Sequence, residues 1–457
     1  VTWDEAFARR AALALLGLAA VSCQVEPSAK VHVTYWEKWT GAEAEAIQTV
    51  VDAFNRSQDR IEVECLTVSN ADRKTLVATA GGDPPDVAGL YVYNVYSFAD
   101  NAALLPLDDF MRQDGGSVDA YMDRYYPVYA QMGTYRGHVW AVPSAPVTVA
   151  LHWNKGLFRE AGLDPERPPR TVAELDDFAR KLTKRDPRTG AIVQLGFLPQ
   201  EPTWWHWAYP LWFGGKLWDG AHVTAALPEN VASMEWVASY THTNGLGAIQ
   251  AFASGFGKFS SPQSSFFAGK VAMVLQGVWL DHFIRQFAPG LDYGVAGWPQ
   301  TPAGEEDFTV ADADVLVIPR GAKHPREAWE FIRYLGSSNP RATQRSELVG
   351  VEELCYLQEK NSPLRTWSPY FEAHHPNPNV DLFRRLSASP HAVAFPKMGI
   401  WEEYRRELAS VFDDVRLLRQ PPGAALEACQ SRIEESWRRH RSMLDRRGAR
   451  RVGAEGP

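Results

Sequence analysis

The stretch from residue 31 to residue 68, VHVTYWEKWTGAEAEAIQTVVDAFNRSQDRIEVECLTV, decides the fold. Its opening VHVTYW alternates branched or aromatic side chains with more polar ones, the period of a strand. In AEAEAIQTVVDAFNRS the period changes, and Ile47, Val50, Val51 and Phe54 fall on one face of a helix. IEVECLTV returns to strand character. A strand, a helix and a strand in close succession predict a right-handed crossover and a mostly parallel sheet, hence an α/β fold. Between the first strand and the helix lies WEKWTG, two tryptophans around a Glu-Lys pair. Exposed indole is costly and adhesive, so such a loop needs a surface to face.

The alternation continues outward from this segment. ADRKTLVATAGG (71–82) reads as a helix closed by glycine, and PDVAGLYV (85–92) as a third strand. HVWAVP (138–143) and VTVALHWNK (147–155) read as two further strands. Thr171, with Glu174 three residues on, predicts a capping box at the head of a helix. GKVAMVLQGVWL (269–280) is an apolar strand ending in Gly-x-Trp, and DYGVAGWPQ (292–300) and ADADVLVIPR (311–320) are shorter strands. HPREAWEFIRYLGS (324–337) is an amphipathic helix with Ala328, Phe331, Ile332 and Leu335 on its apolar side. Helices then run from Gly399 to Leu418 and from Gly423 to Leu444, and residues 441–457 read as a charged, disordered tail. No Gly/Ser/Pro-rich linker interrupts the chain, so two lobes would have to be joined by several strands.

With 457 residues, 45% of them hydrophobic, the chain can bury a large core. A net charge of −8 and a pI near 5.9 argue against nucleic acid or an anionic membrane surface as the main partner. The 17 tryptophans suit stacking on flat apolar ligand faces as well as core packing. Arg9 and Arg10 precede the apolar run Ala11–Val21, which is too short for a bilayer core that needs about 20 residues. That pattern is a secretory signal. Its ending, LAAVSC, resembles a lipobox, making 1–23 a lipoprotein signal peptide and Cys23 the lipidated residue; Asp4, Glu5 and Val1 depart from the pattern. Cys65, Cys355 and Cys429 form neither a metal motif nor a disulfide framework, and a Cys355–Cys429 pair stays open. His374 and His375 lack further ligands at metal spacing and read as a loop. The chain contains no HExxH, GxSxG, P-loop or CxxC motif, so neither an enzyme nor a cofactor or metal is expected.

Distributed segments carry a family resemblance: YWEKWTG (35–41), AGGDPPDV (80–87) leading to LYVYN (90–94), and ALLPLDDFM (103–111). WAVPSAPVTVALHWNKGLFREAGLD (140–164), FAGKVAMVLQGVW (267–279), YGVAGWP (293–299) and VIPRGAKHPREAWEFIRYL (317–335) continue it. In that order the chain, over roughly 31–437, resembles the extracellular solute-binding proteins of family 1, the sugar-binding subunits of bacterial ABC importers. The resemblance implies a two-lobed periplasmic-binding-protein fold (type II), like maltose-binding protein, with the ligand cleft between lobes. It puts 31–146 plus 276–312 in the N-lobe and 147–275 plus 313–440 in the C-lobe, with crossings near Pro146, Leu275 and Ala313.

Carried over onto this sequence, the family's ligand contacts fall on Trp36, Glu37 and Trp39 after the first strand, and on Tyr91, Tyr93 and Asn94 after the third. Glu201, Trp204 and Trp205 lie in QEPTWWHWAYPLWFGG (200–215), where not all of the consecutive tryptophans can face one way. Trp279, Asp312, Asp314 and Trp401 complete the set. A pyranose has an apolar face for an indole and a fringe of hydroxyls for carboxylates and amides, and these residues supply both. The expected protein is a non-catalytic, monomeric receptor for a neutral oligosaccharide. It is expected outside the cytoplasm, in the periplasm or on the cell surface, anchored to a membrane by lipid and docking on permease subunits. The alternatives are a polyol or phosphodiester ligand in the same fold, or a carbohydrate-active enzyme.

Overall fold

The structure, a computed structural model, describes residues 30–202 and 204–454. Cys23 and the apolar run before it lie outside the described residues. Among the described residues no helix is long and apolar enough to cross a membrane.

The opening segment folds as its periodicity predicts. Strand β1 (Val31–Glu37) turns Val33, Tyr35 and Glu37 to one side. Helix α1 (Ala42–Ser57) buries Ile47, Val50, Val51 and Phe54, and β2 (Ile61–Thr67) pairs with β1 in parallel. Helix α2 (Ala71–Gly81) stops at Gly82, whose φ of 81° lets its N–H turn back to the last carbonyls. Strand β3 (Val87–Tyr91) joins the other edge of β1, also parallel. Asp86 clamps that join, accepting the Thr34 N–H at 3.0 Å and the His324 N–H at 2.8 Å.

HVWAVP and VTVALHWNK, expected as separate strands, form mostly one 13-residue strand, β4 (Val142–Asn154). Pro143 and Pro146 suggest a break, but a register shift against the partner between Asp314 and Val315 accommodates them, and bulges tolerate proline. Thr171 caps helix α3 (Val172–Leu182) by accepting the Glu174 N–H at 3.1 Å. The return bond of the capping box goes one residue further out, from the Arg170 N–H to Glu174 at 2.8 Å.

The remaining framework is β5 (Ile192–Phe197), β6 (Val271–Gly277), β7 (Tyr293–Ala296), β8 (Thr309–Val317) and helix α4 (Pro325–Leu335). All belong to, or pack on, a ten-stranded curled sheet ordered β2-β1-β3-β8-β4-β6-β5, ending in the short strand Lys184–Arg185. β7 pairs with the far half of β4, and Ala392–Val393 pairs with the start of β8. β4 meets β8 over Val142–Thr148 and then β6 over Val149–Trp153. Two of the expected crossings are therefore one hydrogen-bonded ladder, in which Pro146 stands opposite Ala313.

Packing divides the rest of the chain differently from the sequence reading. Residues 276–312, expected in the first lobe, include β7, which pairs with β4 at Leu151–Asn154 in the second. After Ala313 the chain returns to the first lobe: Leu316, Trp329, Phe331, Cys355 and Val380 share a core with Val33, Tyr35 and Val50. Leu275 marks no crossing, because it pairs with Leu151 well inside the second lobe. The third passage runs through the helix Val380–Ala388, whose Phe383 and Leu386 pack on Ala150 and Val278. Helices α5 (Trp401–Arg416) and α6 (Pro422–Ala454) then complete the second lobe. α6 runs through most of the segment expected to be disordered; its Arg, Ala and Leu residues are good helix formers. His374 ends a short helix, Pro369–His374, where a loop is expected. Cys355 and Cys429 are free buried thiols in different cores.

Candidate ligand-binding site

Strand ends from both lobes converge on one space. β1 gives way to Lys38 and Trp39, β3 to Tyr93, and β6 to Trp279, while Asp312 and Asp314 project from the middle of β8. With α5 and neighbouring loops they enclose a cavity of about 400 Å³ between the lobes. Open α/β sheets bind ligands in such a place, beyond the strands' carboxyl ends.

Most of its wall is aromatic. On the first-lobe side Tyr91 and Tyr93 stack with ring centroids 5.3 Å apart and planes 10° from parallel, next to Trp39. Opposite stand Trp204, Trp205, Trp207, Trp279 and Trp401, with Phe259, Phe283 and Phe395. Two of these residues are exposed, Tyr91 at 41% and Trp204 at 37%. Trp205, Trp207 and Trp401 are buried behind the rim; the Trp205 Nε1–H donates to the Leu275 carbonyl at 3.0 Å. Trp279 lies over Gly277 so closely that a Cβ there would meet its ring at 2.2 Å.

The floor is charged, and its cations are matched by carboxylates of the protein. Lys38 sits 2.8 Å from Asp314 and 3.2 Å from Glu37, under the rings of Trp39 and Tyr91. Burial alone would lower its pKa; Asp314 and Glu37 overcome that and hold the ammonium above its ordinary value. Lys360 pairs with Glu43 at 2.7 Å, and Arg405 holds Glu402 through two 3.0 Å bonds with its guanidinium over Tyr93. Asp312 has no ion pair among the described residues. Burial raises its carboxyl to about 7, against the pull of the Ala313 N–H bonded to it at 2.7 Å.

Nine of the residues nominated from sequence line this cavity: Trp39, Tyr91, Tyr93, Trp204, Trp205, Trp279, Asp312, Asp314 and Trp401. Four others stand back from its wall. Trp36 is inside β1, and the alternation that buries Tyr35 and Glu37 puts it on the opposite face of the sheet. Glu37 is 1% exposed, bonded to the Tyr35 hydroxyl at 2.5 Å and to Lys38. Asn94 donates to Asp72 at 2.9 Å, bracing the turn that carries Tyr93. Glu201 is half-buried, and burial pushes its carboxyl up.

Sequence reasoning missed Glu43, Phe259, Phe283, Lys360, Phe395 and Arg405 as wall residues. Two had a usable signal: Phe283 and Arg405 each follow a nominated tryptophan by four residues, and i,i+4 positions share a helix face. Lys360 and Phe395 come from inter-helix segments that only tertiary packing brings here.

The fold is that of a two-lobed binding protein, with a cavity between the lobes. Residues 39–339 match the sequence profile of the bacterial extracellular solute-binding proteins, and the chain belongs to that family. It is similar to the sn-glycerol-3-phosphate-binding periplasmic protein UgpB of Pectobacterium atrosepticum, 21% identical over 96% of this chain and 98% of that one. It is 20% identical to the maltotriose-binding protein of Pyrococcus abyssi, over 88% of this chain and 81% of that one. A solved structure of CpMnBP1 with mannotriose bound matches at a TM-score of 0.75 and 26% identity, covering 88% of this chain and 99% of that chain. Family membership assigns the protein a solute-binding role outside the cytoplasm.

Proposed function

We propose that the protein captures a neutral oligosaccharide between its lobes and delivers it to the permease of an ABC importer. The observation that carries this is the cavity itself: aromatic walls on both sides, with each lining cation already matched to a carboxylate of the protein. Sugar rings can stack on Tyr91, Trp204 and Trp279 while Asp312 takes hydroxyl hydrogens. A phosphate would have to win Lys360 or Arg405 from Glu43 or Glu402. The mannotriose bound to CpMnBP1 supports the sugar reading. The polyol or phosphodiester reading rests on UgpB, a glycerol-phosphate binder. Hydrolysis would need two free carboxylates flanking the bond, and Asp314 is already held by Lys38.

The same reading makes the protein a monomeric lipoprotein, with Cys23 carrying the anchor and the lobes outside the cytoplasm. Its support is the Arg9-Arg10 pair, the short apolar run and the LAAVSC ending.

Calorimetric titration with mannobiose, mannotriose, maltotriose and sn-glycerol 3-phosphate tests the ligand class. At least one oligosaccharide should bind, raise stability by about 2.7 kcal/mol at 100 times its Kd, and shrink the radius of gyration as the lobes close. Binding of glycerol phosphate alone would overturn the sugar reading.

A further inference from the structure

A second cavity of about 520 Å³ lies behind the first, lined in part by Tyr96, Val128, Gln131, Met132, Ser389 and Lys397. Phe395 belongs to the walls of both. We infer that Phe395 limits the length of oligosaccharide the cleft accepts, by standing as the partition between the two cavities. This rests on the sugar reading above and deepens it.

Phe395 is held by four neighbouring rings. It is 4% exposed and stacks on Trp401 with centroids 5.7 Å apart and planes at 14°. Tyr93 meets it at 6.2 Å from the cleft, Tyr96 at 5.9 Å from the rear cavity, and Trp207 at 6.1 Å. Its segment is fixed to the sheet two residues earlier, where Ala392 and Val393 pair with Thr309 and Val310 of β8. β8 goes on to Asp312 and Asp314, so the partition and the carboxylates share one ladder.

The rear space is suited to a further sugar unit. Tyr96 and Phe395 present rings, and Gln131, Ser389 and Lys397 add polar groups. The Lys397 ammonium donates to the Thr134 carbonyl at 3.2 Å. With Phe395 in place a chain entering the cleft ends at its ring. Without it the cavities join, and together they approach the upper end of the roughly 300–1,000 Å³ range of ligand pockets.

The test compares wild type, Phe395→Ala and Phe395→Leu, titrating each with mannose through mannohexaose and maltose through maltohexaose. Melting temperatures are recorded alongside. In wild type, affinity should stop rising at some chain length. In Phe395→Ala that plateau should move at least one unit longer, with a tenfold or greater gain for the first longer sugar over the last one wild type favours. Phe395→Leu, which keeps an apolar plug and spares the packing if the alanine variant fails to fold, should give a smaller move the same way. An unmoved plateau in a folded variant overturns the partition and leaves the sugar reading standing. A wild type that binds no sugar of either series overturns both.

Discussion

Asp312 separates from the other carboxylates of the cleft because burial is offset chiefly by one backbone N–H, with Arg405 and Lys38 acting only from a distance, whereas Glu43 and Asp314 each hold a lysine. Its carboxyl at about 7 lies well above the ordinary value near 3.9 of an unfolded aspartate. The folded state therefore binds the proton more tightly than the unfolded chain. Its contribution to stability is complete below about pH 4 and is lost as pH rises toward 7. Asp312→Asn removes that loss. Without ligand the variant should melt roughly 1–3 °C above wild type at pH 8 and together with it at pH 4, by calorimetry. Equal melting at both pH values would mean that Asp312 is hydrated and feels no burial. The cost is tolerable in a binding site, where sugar hydroxyls can supply the missing donors.

At the scale of elements, the ends of strands do the work, and β6 shows how closely an end can be specified. Gly277 leaves room for the Trp279 ring to seat against the backbone, where it lines the cavity. Gly277→Ala should push the ring out of that seat and weaken sugar binding by about 1–2 kcal/mol, or roughly 5- to 30-fold in Kd, read by titration. Unchanged affinity in the folded variant would show that Trp279 does not stack on the sugar. The Gly-x-Trp pattern here was legible in the sequence, as were the change of period over 31–68 and the cap at Thr171. Each rests on neighbours in the chain. Trp36 misled because β1 runs to Glu37, one residue beyond VHVTYW, so Trp36 lies inside the strand and the alternation turns its ring away from the cleft. Phe395 and Lys360 had no such signal, since their place depends on where separate helices dock.

Over the whole molecule, the path between lobes was the least legible feature. A strand's pattern tells which face is buried but not which lobe supplies its partner, so 276–312 and 313–380 were exchanged. What joins the lobes is a ladder between β4 and β8 together with the helix Val380–Ala388. Bending a paired ladder keeps its hydrogen bonds, so closure can proceed as a hinge motion without melting the join. The proposed lipid anchor is tested at this scale as well. In the full chain, Cys23→Ser should move the protein from the membrane fraction to the soluble one; a wild type found wholly soluble would remove the anchor.

The matched floor of the cleft has a consequence for the medium in which the protein works. Lys38, Lys360 and Arg405 are neutralised by their own carboxylates, and the lysines are buried beneath rings. Ions in solution screen exposed charges over roughly 10 Å at 0.1 M salt but reach buried pairs weakly. A neutral solute entering such a cleft exchanges no counterion for its place. On the proposed neutral-sugar reading, affinities titrated at low and high salt should agree, and the protein would collect the same solute from dilute water and from brine.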